Sequence, residues 1–242
     1  MAEIELILIR HGLTEENAMG IIQGHMPGTL TKVGRKHAEA VGMFLADYIL
    51  QGSKADFIFS SDLARSRDSA EIIAKQLGLS LIQEPLLRER SYGEMQGTHF
   101  PEGFDDDLAD TDNVLFQGKK VESFQSLRQR ANAVIEKIRA LKLVHGKVVA
   151  VGHANMNNFI LNYLFGNDFG KISFKQRHGD IFRIILDAKG RVKHAETYRI
   201  RFDSEGNAVE VKKQEKLSKN SQTDFQAIDP STLRKTKEEV KV

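Results

Sequence analysis

A short apolar run from Ile4 to Ile9, rich in Ile and Leu, breaks off at Arg10-His11-Gly12. Such a run reads as a buried strand, and the break puts the polar triplet at the strand's C-terminal end, where open α/β sheets build their sites. The pattern returns twice. Asp56 to Ser61 reads as a buried strand leading into a helix from Asp62 to Leu77 that stops at Gly78. Lys147 to Val151 reads as another, leaving through Gly152-His153 into a helix from Asn157 to Phe165. Thr31 is placed to cap a helix that runs to about Leu50, and Leu79 to Ile82 gives a further strand. Ser123 to Leu143 is helical, with Leu127, Ala131, Val134, Ile135 and Ile138 on one face. This alternation predicts an α/β three-layer sandwich, with a mainly parallel central sheet and helices on both faces.

Ile181 to Leu186 and Val192 to Ile200, joined by an Asp187-Ala188-Lys189-Gly190 turn, predict a hairpin near the sheet edge. Pro85 to Gly118 is irregular, and its Asp105-Asp106-Asp107 run reads as a solvated loop rather than a cation site. Beyond Val211 the apolar pattern fades into Lys, Glu, Ser and Gln. The expected organisation is one catalytic domain over 1–210 and a polar, mobile tail over 211–242.

With 242 residues, 40% of them hydrophobic, the chain is long enough for one large α/β core. Its 35 Lys and Arg nearly balance 33 Asp and Glu, so no global field recommends nucleic acid. The Lys-rich tail is interleaved with Glu and lacks an aromatic stacking pattern, so neither nucleic acid nor membrane is expected as a partner. Absence of Cys removes disulfides, thiolate nucleophiles and cysteine metal sites, and fits a reducing compartment. The N-terminal stretch carries acids and too short an apolar run for a signal peptide or a membrane span; a cytoplasmic location is expected.

In a parallel sheet the strand ends carrying Arg10-His11 and His153, and the turn leading to Arg65, converge on one edge. Two arginines and two histidines together suit a tetrahedral dianion, because guanidinium offers rigid paired donors and does not lose its charge. The helix beginning near Asp62 is a further source of backbone donors. Neither His11 nor His153 sits in a metal-ligand spacing, and no phosphate-cradling glycine loop is present, so no metal and no cofactor is expected. The isolated histidines His37, His99, His145, His178 and His194 read as structural, and Glu122-Ser123 as a device for starting a helix.

Five ordered segments resemble the histidine phosphatase superfamily, which also includes phosphoglycerate mutase. They are Leu8-Ile9-Arg10-His11-Gly12 with Thr14-Glu15, Asn17, Gln23-Gly24, Leu30-Thr31 and Gly34; Ser60 to Ser66; Leu87 to Gly93 with Gln96-Gly97; Val121 to Phe124; and Val151-Gly152-His153. Two positions depart from the usual pattern: Ala154 stands where Gly commonly follows the second histidine, and Leu13 replaces a frequent acid. A side chain at 154 is costly only at positive φ.

The resemblance implies a phosphatase that takes the phosphoryl group onto neutral His11, without metal. Arg10 and Arg65 would lower the pKa of His11 and stabilise the transferring oxygens, and His153 would donate to one of them. Glu89 would protonate the leaving oxygen and then activate water. Asn17, Gln23, Gly24, Arg90 and Ala154 are the expected substrate contacts. The expected partner is a small phosphorylated metabolite or a phosphoprotein. Phosphoglycerate mutase-type transfer stays open, as does a non-catalytic scaffold binding a phospho-ligand; the short, acidic Gly97 to Glu122 segment ranks hydrolysis above the mutase reaction.

Overall fold

Four strands share one direction at the heart of the molecule. In a computed structural model describing residues 3–51, 53–101, 116, 118–166, 174, 176–215 and 226–228, these are β1 (Glu3–Arg10), β2 (Phe57–Ser60), β3 (Leu81–Gln83) and β4 (Gly146–Gly152). Antiparallel strands β5 (Asp180–Asp187), β6 (Val192–Phe202), β7 (Ala208–Glu215) and β8 (Gln226–Ile228) complete an eight-stranded sheet of order β3-β2-β4-β1-β5-β6-β7-β8. The sheet is therefore mixed: parallel from β3 to β1 and antiparallel beyond.

β1 is flanked by β4 and β5 and covered on both faces, which is why it reads as an almost continuous apolar run. Its Ile4, Leu6 and Leu8 pack under α4 (Phe124–Ala140) and α5 (Ala154–Leu164), while Ile7 and Ile9 pack under α2 (Lys32–Phe44) and α3 (Ala64–Leu77). Glu5 is tolerated in this run because Arg183 of β5 grips its carboxylate, with Nε 2.8 Å from Oε1. The caps fall where side-chain chemistry puts them. Thr31 accepts from the Gly34 amide, Ser123 from the Ser126 amide, and Gly78 closes α3 in the left-handed conformation.

Three expectations need correction. The β5–β6 hairpin lies inside the sheet, because β7 and β8 pair beyond it. The boundary at 210 cuts through β7, whose Val211 opposes Ile200 and is buried in the core; residues 211–215 and 226–228 are sheet, not tail. The rest of the expected tail, and Asp105-Asp106-Asp107, lie outside the described residues. Finally, α5 begins at Ala154, three residues before its expected start. Its Asn-rich first turns are helical because the amides find partners: Asn157 Nδ2 donates to Ile9 O at 3.0 Å and to Gln176 Oε1 at 2.8 Å, and Asn158 Oδ1 accepts from the Phe174 amide.

One close approach positions the loop after β1. A Cβ on Gly12 would stand 2.1 Å from the Gly34 carbonyl oxygen, and one on Gly34 would stand 2.0 Å from that of Leu13. Only paired glycines let the first turn of α2 meet the His11 loop this closely. Among the described residues, no helix is long and apolar enough to cross a membrane.

Candidate active site

The parallel ladder continues past the strand ends and sets the site. The His11 amide donates to Gly152 O at 3.1 Å and the Ser61 amide to Val151 O at 3.1 Å, bringing together the exits of β1, β4 and β2. Two serines of α3 lock it to those exits: Ser66 Oγ donates to Val151 O at 2.8 Å, and Ser69 Oγ accepts from the Gly12 amide at 3.0 Å. Arg65, one turn before Ser69, is thereby aimed at His11.

His11 is buried at the base of an open cleft lined also by Arg10, Asn17, Gln23, Gly24, Arg65, Glu89, Tyr92, Phe100, Ala154 and Asn155. Its Nδ1 lies 2.7 Å from Gly12 O, a contact that requires the proton on Nδ1. The lone pair is then on Nε2, which faces Arg65 Nε at 3.3 Å. Burial and then the Arg65 charge hold the His11 pKa well below the ordinary value, with smaller contributions from His153, His178 and Arg10. The imidazole is thus neutral and carries its free electron pair toward the cleft.

Arg65 is also fully buried. Its guanidinium donates to the carbonyls of Gly24, at 2.8 Å, Met26 and Pro27, and burial lowers its pKa to about 10, leaving it charged at neutral pH. His153, the N-cap residue of α5, is completely buried, with its ring centroid 5.1 Å from that of His11. Neither of its ring nitrogens has a hydrogen-bond partner, and burial followed by Arg65 and Arg10 keeps it neutral. A buried orphan donor beside two arginines is a ready site for an anionic oxygen. Gln23 Oε1, in the cleft wall, is a further buried atom without a partner. Arg10 Nη1 is braced by Gln176 O at 2.9 Å.

Glu89 occupies the same cleft. Its Oε1 accepts from the Arg90 amide at 2.9 Å, and Oε2 lies 3.5 Å from the Asn155 amide at the start of α5. Arg88, the residue before Glu89, pairs with Asp62, Nε to Oδ1 at 2.7 Å. Asn17 is fixed by Thr14, whose hydroxyl donates to its Oδ1 at 2.9 Å. Gly24 contributes a carbonyl to Arg65, and Ala154 is helical, so its side chain carries no positive-φ strain.

Arg90 departs from expectation. It does not line the cleft; its guanidinium lies 4.7 to 5.5 Å from the ring centroids of Phe124, Phe116 and Tyr92, and its Nε donates to Glu122 O at 2.9 Å. It is a buried brace for the Glu89 segment rather than a substrate contact. The first amides of α3 are likewise engaged, Arg65 N with Pro27 O at 3.1 Å, and the helix start that opens on the cleft is that of α5.

Sequence reasoning missed four residues. Asn155 lines the cleft and donates to Tyr92 Oη at 2.9 Å; Phe100 stands at its mouth. His178, read as structural, places its ring centroid 5.5 Å from that of His11 and its Nδ1 2.7 Å from His11 O. Arg130 joins Glu122 through two bonds and donates to the carbonyls of Leu86, Arg88 and Glu89, holding the segment that carries Glu89. Glu122 therefore does more than start α4. Among the described residues, no group of three His, Cys, Asp or Glu side chains is arranged to hold a metal ion.

Fold and site define an α/β protein with a cleft in which a neutral histidine meets two arginines, set on the C-terminal ends of parallel strands. Residues 6–200 match the histidine phosphatase superfamily (branch 1), and the chain belongs to that family. A metal-independent phosphoserine phosphatase of Arabidopsis thaliana is 33% identical over 159 residues, 63% of this chain and 65% of that protein. The chain thus covers less than two thirds of that relative's length. Phosphoglycerate mutase from Bacillus anthracis superposes with a TM-score of 0.67 at 24% identity, over 79% of this chain and 91% of that one. Phosphoserine phosphatase from Entamoeba histolytica, in complex with 3-phosphoglyceric acid, gives 0.64 at 23% identity, over 78% and 93%. These structural likenesses establish the fold.

Proposed function

We propose that the chain is a metal-independent phosphomonoesterase that works through a phosphohistidine on His11. The observation that carries the reading is the neutral His11 tautomer: Nδ1 is tied to Gly12 O and Nε2 faces the Arg65 guanidinium in an open cleft. In this reading a phosphate dianion displaces the Arg65–His11 contact, and its oxygens take donors from Arg10, Arg65 and His153. Nε2 attacks phosphorus in line with the P–O bond to the leaving alcohol, and that bond breaks as N–P forms. Glu89 passes its proton to the departing oxygen, then takes one from the water that hydrolyses phospho-His11. The arginines supply the positive charge that a metal ion supplies in many other phosphoryl transfers. Asn17, Gln23, Gly24, Asn155 and Ala154 shape the walls. A relative named as a metal-independent phosphoserine phosphatase supports the same direction. The proposed setting is the cytoplasm, with a small phosphorylated metabolite as substrate.

The test is turnover of a chromogenic phosphate ester in the presence of a chelator, together with acid-labile labelling of the protein by a radioactive phosphate donor. Turnover and labelling that both disappear in His11→Ala are expected. A strict divalent-metal requirement, or full activity in His11→Ala, overturns the reading. Interconversion of 3- and 2-phosphoglycerate, primed by bisphosphoglycerate and faster than hydrolysis, replaces it with the mutase.

A further inference from the structure

The nucleophile and the proposed acid come from different parts of the chain. His11 follows β1, Arg65 belongs to α3, and Glu89 lies just beyond the 3₁₀ turn Pro85–Leu87. A tight turn over Gly24 and His25 stands between them, closed by the Met26 amide donating to Gln23 O at 2.9 Å. Arg65 holds one side of that turn. Its guanidinium donates to the carbonyls of Gly24, Met26 and Pro27 while its Nε faces His11.

The segment that carries Glu89 holds the other side. His25 Nε2 lies 2.8 Å from the Glu89 carbonyl oxygen, a contact that requires a proton on Nε2. The His25 amide donates to Gln96 Oε1 at 2.8 Å, and the same oxygen takes the Tyr92 amide at 3.3 Å. Gln96 comes this near because residue 24 is glycine: a Cβ there would stand 2.2 Å from Oε1, and φ at Gly24 is +50°. His25 is thus clasped to residues 89–96 twice, by its ring and by its backbone.

The path from nucleophile to acid is short. It runs from His11 Nε2 to Arg65 Nε at 3.3 Å, from Arg65 Nη2 to Gly24 O at 2.8 Å, across one peptide bond to His25, and on to Glu89 O. Arg130 donates to the same Glu89 oxygen at 3.2 Å, and a carbonyl's two lone pairs accommodate both donors. The two donors do different work: Arg130 ties the Glu89 segment to α4, whereas His25 ties it to the loop that Arg65 grips. Proton transfer needs donor and acceptor within hydrogen-bond reach, and a misplacement of about 1 Å costs about 10²-fold in rate.

We infer that His25 is a positioning residue: by clasping the Glu89 segment to the loop held by Arg65, it sets the reach of the acid to the leaving oxygen. This rests on the phosphatase reading above and adds to it a residue that acts through Glu89 rather than on the phosphate.

Two esters isolate the proton step. Benzyl phosphate releases an alcohol that must be protonated as it leaves, whereas 4-nitrophenyl phosphate releases a phenolate that needs no proton. His25→Phe keeps a ring without the donor, His25→Asn is polar but too short to reach Glu89 O, and His25→Gln keeps a donor at similar reach. In the first two, kcat/KM for benzyl phosphate is expected to fall at least about tenfold and that for 4-nitrophenyl phosphate less than about threefold, with His25→Gln near the parent. Glu89→Gln should show the same selective loss. Both esters are read on one preparation, so their ratio is insensitive to a loss of folded protein. Equal losses on the two esters assign His25 to the phosphate clamp, and unchanged rates leave it no role; either overturns the inference, while turnover with labelling of His11 keeps the phosphatase reading. Failure of both His25→Phe and His25→Asn to fold makes His25 a residue of the fold and overturns the inference too. Equal losses in Glu89→Gln remove the acid role and the inference with it. Silence of the parent on both esters, with no labelling of His11, removes the phosphatase reading itself.

Discussion

Replacing Arg130 by methionine should loosen the site from behind. The Arg130 and Glu122 side chains are 17% and 12% exposed, and the pair is bidentate, with Nε to Oε1 at 2.9 Å and Nη2 to Oε2 at 2.7 Å. Removing one partner of a buried pair costs about 3–5 kcal/mol, because the other charge is left uncompensated. Partial exposure favours the lower end, about 3 kcal/mol. The three carbonyls of Leu86, Arg88 and Glu89 lose charge-assisted donors but regain some water, adding about 1 kcal/mol. The sum, about 4 kcal/mol, corresponds to a fall of about 1.3 M in the urea midpoint at a slope of about 3 kcal/mol per M. Catalysis should report the same lesion through kcat, since the Glu89 carbonyl loses a tether while the phosphate clamp is untouched. Glu122→Gln offers an independent handle. Burial works to raise the Glu122 pKa, but the Arg130 bonds and charge, with Ser126 and the Ser91 amide, overcome it and leave the pKa lowered from 4.5. For a lowered acid, the pair's stabilisation is complete above the unfolded value and lost as pH falls below about 4.5 through the folded one. A midpoint shift below about 0.3 M in Arg130→Met refutes the reasoning.

Histidine protonation gives a second pH effect of opposite cause. His37 is lowered to about 4 and His178 to about 3, mainly by burial, and His11 and His153 are also lowered. Below the unfolded value of 6.5 only the unfolded chain binds these protons, so stability should fall by up to about 1.4 kcal/mol per pH unit for each histidine; a flat urea midpoint between pH 7 and 5 contradicts this. Arg65→Lys keeps a charge but loses the planar fork that spans His11 Nε2 and the Gly24 carbonyl, and kcat/KM should drop about 10²- to 10³-fold in steady-state assays. Retention of a tenth of the activity would deny the fork its role. Gly34→Ala would drive a Cβ to 2.0 Å from Leu13 O, so the melting temperature should fall by several degrees and activity with it. His178→Phe removes the bond to His11 O, and a lower kcat with little change in melting temperature is expected; equal losses in both would make His178 merely structural.

The parallel half of the fold was legible because strands buried on both faces spell themselves as apolar runs, and Arg10, His11, Arg65 and His153 sit where those runs stop. What escaped was decided by partners distant in sequence. β7 carries Val209 and Val211 among Glu, Lys and Gln, and becomes a strand only because β6 offers it an edge. Placing the β5–β6 hairpin at the margin also hid His178. With β5 antiparallel to β1, Ile181 stands opposite Ile9, and the residues just before β5 must lie beside His11. Asn155 was missed because an Asn-rich segment has weak helical preference, and its start at Ala154 depends on buried partners. Arg90 carried a cationic signal beside Glu89, but the aromatic cage that holds it comes from Tyr92, Phe116 and Phe124 together.

The neighbours of β1 have a consequence for how the molecule comes into being. The strand that delivers His11 pairs with residues 146–152 and 180–187, both far downstream of it. During synthesis a run of Ile and Leu must wait, unpaired on both edges, until those partners have been translated. Its closing contacts span more than 140 positions, the kind of separation that slows folding and exposes sticky strands. The seat of His11 is therefore made well before it is secured, and destabilising changes in β4 or β5 should show up as aggregation of nascent chains before they show up as lost turnover.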